Sequence, residues 1–87
     1  MTPETIATFV EKAISGMRED IQAVGPGEDP RDAATRIVLS WDDQDSLLDD
    51  DSSDEWEDLG PTPDDRRALM DGCIDAIEIA IARGRVT

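Results

Sequence analysis

The residues of this chain with chemistry to offer are carboxylates. Twelve lie between Arg36 and Arg66, with no basic residue among them. Ten of these fall in one run: Asp42, Asp43, Asp45, Asp49, Asp50, Asp51, Asp54, Glu55, Glu57 and Asp58. The chain as a whole has 22 acids, 8 bases and a net charge of −14. Outside residues 37–65 the balance is ten acids to eight bases, so nearly all the net charge sits in one third of the sequence. A field of that sign repels nucleic acid and attracts basic surfaces.

Carboxylates can serve acid–base catalysis, metal binding or electrostatic recognition. Catalysis by a histidine-based dyad or triad is excluded, because the chain has no histidine. General acid–base work by a carboxylate pair needs a cleft that shifts pKa values, and a solvated Asp run signals none. No glycine-rich loop resembles a phosphate-binding or dinucleotide fingerprint. Zinc needs several Cys or His ligands, and Cys73 is the one cysteine. A calcium loop of the EF-hand type needs Gly at its sixth position and an acid at its twelfth. Counting from Asp43 puts Leu48 sixth, and counting from Asp49 puts Asp54 sixth and Gly60 twelfth. The expectation is a non-enzyme with no cofactor and no dedicated metal site. Direct nucleic-acid binding is disfavoured as well, since binders neutralise phosphates with Lys and Arg.

Electrostatic recognition remains. Carboxylates at i and i+4 on a helix stand about 5–6 Å apart, and alternate residues of an extended chain about 6–7 Å apart. Both are close to phosphate spacing along one strand. A second acidic feature supports the first: Asp64, Asp71, Asp75 and Glu78 fall within about 60° of one another on a helical wheel, opposite an apolar arc. Trp56 sits inside the acidic run, either as an anchor to the core or as an exposed aromatic of the kind that dominates interfaces. The candidate partner-binding set is therefore the ten carboxylates of the run, Trp56, and the row Asp64, Asp71, Asp75 and Glu78. Ile79, beside that row and off the apolar arc, allows a homodimer or partner contact.

The elements that must carry these groups are helical. Thr2-Pro3, Asp29-Pro30 and Thr62-Pro63 each put a capping side chain before a proline, which suits a first helical position. The first helix is expected over 3–24, with Ile6, Val10, Ala13, Met17, Ile21 and Val24 on one face, flanked by Phe9 and Ile14. Gly25-Pro26-Gly27 ends it. A second helix starts at Pro30 with Ala33, Ala34, Ile37, Val38 and Trp41 inward; its pattern permits a stop near Trp41 or continuation through Leu47 and Leu48. Asp49 to Asp54 reads as too rich in Asp and Ser for a helix interior. Ser53 is expected to cap one short turn that faces Trp56 and Leu59 to the core before Gly60-Pro61. The last helix is expected over 63–82, with Leu69, Met70, Cys73, Ile74, Ala76, Ile77, Ala80 and Ile81 inward. Gly84 suits its C-terminal cap, and Arg83 and Arg85 its negative dipole end. No segment shows period-2 alternation. The fold class is all-α: a compact bundle of three main helices plus one or two short turns, one domain over 1–87, with 42–58 as its acidic segment.

The single cysteine fits a reducing compartment. No apolar run is long enough for a membrane span, and the N-terminus lacks signal-peptide character. The expected location is cytoplasmic.

In size, charge and lack of catalytic residues the chain resembles the acidic DNA-mimic inhibitors of phages and mobile elements, including anti-CRISPR proteins. The resemblance is compositional and transfers no residue by motif. It implies a basic partner, such as a CRISPR effector or another nucleic-acid-binding protein, whose channel the acidic face occupies, and a location in the host cytoplasm. Immunity proteins against nuclease toxins, antitoxins and other acidic interaction modules are similarly small and acidic. Asp45-Ser46-Leu47 is similar to the serine tripeptide of acyl carrier proteins. That likeness covers three residues, and the long amphipathic helix of that family is not expected after Ser46.

Overall fold

The architecture is set by the longest helix, which acts as a spine. The computed structural model describes residues 1–86, and side chains as far as residue 84. Helix α5, Pro63–Val86, has 24 residues. At about 1.5 Å per residue it is roughly 36 Å long, nearly the full 39 Å of the molecule's long axis. Helices α1 (Pro3–Gly16) and α3 (Pro30–Asp43) pack along it, with the short α2 (Arg18–Gln22) and α4 (Asp50–Asp58) completing the bundle. The described residues are all-α, with no strand.

Each main helix begins as its sequence dictates. Thr2 accepts from the Thr5 N–H, and Asp29 accepts from the Arg31 and Asp32 N–H groups. Thr62 and Asp65 cap reciprocally: the Asp65 N–H donates to Thr62 Oγ1 at 3.1 Å and the Thr62 N–H to Asp65 Oδ2 at 3.0 Å. The core joins Phe9, Val10, Ala13 and Met17 to Ala33, Ala34, Ile37 and Val38, and both sets to Leu69, Cys73, Ile74, Ile77 and Ile81. Gly72 allows close approach there, because a Cβ on it would lie 2.8 Å from Val10 Cγ2.

Four expectations are corrected. The first helix does not run unbroken to Val24. At Met17 the backbone turns to φ −103°, ψ 9°, and its N–H donates to the Ile14 carbonyl, three residues back instead of four. Gly16 weakens the helix just before this point, and the break lets a fully buried Met17 plug the core while Ile21 and Val24 pack against it.

The run from Asp49 to Asp54 is helical, not irregular. Asp49, rather than Ser53, is the N-cap, and it accepts from the Ser52 N–H at 2.7 Å. Asp50 and Asp51 then fall in the first turn, where carboxylates meet the positive end of the dipole. Poor intrinsic propensity is offset by tertiary burial, as it is for most short helices in proteins.

Leu59 does not face the core. It is 53% exposed at the C-cap of α4, and Gly60, at φ +65°, redirects the chain just after it. Finally, Gly84 lies inside α5, which extends past it to Val86. Position 84 belongs to the last turn, where few helical bonds depend on a residue's propensity. The Arg85 side chain lies outside the described residues.

Candidate acidic interaction surface

The acidic segment is tied down at both ends and in the middle. Helix α3 stops at Asp43, short of Leu47 and Leu48. Its end is a Schellman turn: the Asp45 N–H donates to the Asp42 carbonyl and the Ser46 N–H to the Trp41 carbonyl, both at 3.0 Å. The left-handed position is filled by Asp45 at φ 54°, where glycine is the unstrained residue. The chain then buries Leu47 and half-buries Leu48 before Asp49 starts α4.

Trp56 is the anchor of α4 and not part of its outer surface, which corrects its place in the candidate set. It is 3% exposed and meets the Phe9 ring edge-on, with centroids 5.1 Å apart and planes at 74°. Its ring and Ser52 occupy one side of the helix. At about 100° per residue, Glu57, Asp50, Asp54, Asp58, Asp51 and Glu55 then span an arc of about 160° on the opposite side. Burying the one aromatic turns every carboxylate of the helix outward.

Internal cations divide the predicted acids into two groups. Arg66 Nη2 lies 2.6 Å from Asp42 and 3.9 Å from Asp45. Lys12 Nζ lies 2.7 Å from Glu55. Arg31 Nη1 lies 2.8 Å from Asp75 and 3.0 Å from Glu78, and these two hydrogen bonds push its pKa up further. The row on α5 is thus partly neutralised at its C-terminal half, where one guanidinium faces two carboxylates, leaving Asp64 and Asp71. Among the described residues, Asp43, Asp50, Asp51, Asp54, Glu57, Asp58, Asp64 and Asp71 are exposed and lie in no ion pair. Asp49 is exposed too, and its pKa is lowered by its hydrogen bonds with Ser52.

Periodicity did not signal Lys12, Arg31 or Arg66. Their partners lie 43, 44 and 47, and 24 residues away in the chain, and only helix packing brings them together. The carboxylates are spread rather than converged: no group of three or more His, Cys, Asp or Glu among the described residues is arranged to hold a metal ion. No helix is long and apolar enough to cross a membrane among the described residues. Cys73 is buried within the core, which pushes its thiol up to about 12.

Ser46 is half-buried and donates its hydroxyl to the Gln44 carbonyl. The helix that follows begins four residues later and has nine residues, so it is not the long helix of the carrier pattern. No protein-family model, curated protein or solved structure matches the chain.

Proposed function

We propose that this protein is a small inhibitor that binds the basic nucleic-acid-binding surface of a partner, in place of the nucleic acid. The observation that carries this reading is α4: a helix fixed by Trp56, with six carboxylates on its outer arc and one of them, Glu55, paired internally. A fixed array presents a charge pattern without the entropy cost that ordering a disordered acidic tail would add on binding. Asp43, at the end of α3, is a further exposed carboxylate, and Asp64 and Asp71 form a weaker patch on α5. A CRISPR effector or another nucleic-acid-binding protein is the partner class this pattern suits, and the cytoplasm the place of action.

Displacement tests the reading. A purified effector is loaded with labelled duplex DNA and titrated with this protein, with bound DNA read by anisotropy. DNA release is expected, with affinity falling steeply as salt rises. Replacing Asp50, Asp51, Asp54 and Asp58 by Asn and Glu57 by Gln is expected to weaken binding at least about tenfold, each lost charge pair contributing a fraction of that. The double variant Asp64→Asn/Asp71→Asn is expected to lose less. Binding indifferent both to preloaded DNA and to salt overturns the mimic and points instead to an immunity protein with one cognate toxin.

A further inference from the structure

The segment between α3 and α4 borders a cleft of about 450 Å³ that an unstructured charge array would not contain. Its apolar part is the half-buried Trp41 and Leu48, with Ala13 and Leu47 beneath. Its charged rim is Asp45, Asp49 and Asp50. Gly16, at the end of α1, lines the opposite side. The indole of Trp41 is held in place by its N–H, which donates to Asp20.

Two helices, α1 and α3, end at this cleft, and neither has a basic residue in its last turn. Their negative dipole ends therefore add to the field of the rim carboxylates. The N-terminus of α4 also abuts the cleft, with the Asp49 carboxylate capping it. Lys12 is the cation at the edge, and it is engaged by Glu55. A mixed slot, with the Trp41 indole and Leu48 on its wall and carboxylates on its rim, complements a side chain with a greasy stem and a delocalised cationic head.

Resting on the mimic reading, we propose that this cleft receives an arginine side chain of the basic partner, anchoring a contact that charge alone would leave unregistered. Guanidinium suits it better than ammonium. It is planar, more weakly hydrated and able to stack on an indole while bonding a carboxylate. The anchor separates a protein partner, which carries such side chains, from a bare polycation that only follows the field.

Gly16 gives a test that leaves the net charge untouched. A Cβ there would meet nothing within 4 Å, so Gly16→Leu has room to extend a side chain into the cleft from the end of α1. The probes are fluorescein-labelled (Arg-Gly)4 and (Lys-Gly)4 peptides, read by anisotropy at low salt. The native chain is expected to bind the arginine peptide at least about threefold tighter than the lysine peptide. Gly16→Leu is expected to erase that preference and to weaken arginine-peptide binding about fivefold or more, with its melting temperature equal to or above the native value. Ser15→Leu, on the same wall, is expected to do likewise. If both filled variants bind the arginine peptide as the native chain does, the cleft proposal is overturned while the acidic face stands. If the native chain binds neither peptide, both readings fall.

Discussion

Helices α4 and α5 both carry rows of carboxylates, yet they differ in what surrounds them. In α5 the row lies on a spine whose other faces are buried by α1 and α3, and Arg31, at the start of α3, reaches across to Asp75 and Glu78. In α4 the row lies on a nine-residue helix attached mainly through Trp56, and among the described residues only Lys12 pairs with it. The number of acids on a helix therefore does not decide whether it offers a charged surface. The cations that neighbouring helices bring to it do. The least stable element by propensity is also the most highly charged, so function and stability oppose each other there.

The largest expected effect tests the attachment of α4. Trp56→Ala removes the side chain that buries this helix and is expected to destabilise the protein by about 3–5 kcal/mol. Much of the helical signal of residues 50–58 should go with it, measurable by urea denaturation and circular dichroism. Ile79→Ala, on the exposed side of α5, is expected to change stability by less than about 0.5 kcal/mol. Equal effects would erase the contrast between an anchored and an intrinsic helix.

A smaller effect is expected at the turn into the acidic segment. Asp45 holds a left-handed conformation that costs a non-glycine residue roughly 1 kcal/mol. Asp45→Gly is expected to raise the melting temperature by about 4–8 °C for a chain of this size. No rise would mean that the pairing of Asp45 with Arg66, at 3.9 Å, outweighs the strain.

The smallest effect comes from pH and salt. Screening or partial protonation relieves repulsion within the acid run, so the melting temperature is expected to climb roughly 2–4 °C. That rise should appear with added salt, and as pH drops from 7 into mild acid. Asp49 and Asp65 act in the opposite sense. Asp49 is held below the usual aspartate range first by its hydrogen bonds with Ser52, and Asp65 first by the Thr62 N–H. A carboxylate with a lower pKa folded than unfolded adds stability that is fully present above its unfolded value. That stability is lost as pH falls through the folded value. Stability should therefore turn over and decline below the usual aspartate range, as α4 and α5 lose their charged caps. A monotonic rise into strong acid would show that the caps contribute little against repulsion.

What the sequence by itself determined was local and periodic. Proline preceded by Thr or Asp marked the starts of α1, α3 and α5, because orphan N–H groups at a helix start need an oxygen and tolerate an absent donor. The 3.6-residue spacing picked out the apolar faces, and the core contains Val10, Ala13, Met17, Ile37, Val38, Leu69, Cys73 and Ile77 as that spacing requires. The concentration of charge in one third of the chain was equally plain. Tertiary structure decided the rest. An Asp-Ser run became a helix because Phe9, 47 residues before Trp56, gave it a surface to bury against. Met17 broke the first helix to fill the core. Arg31 and Arg66 masked some carboxylates and left others bare, because packing, not sequence distance, sets where a long cationic side chain can reach.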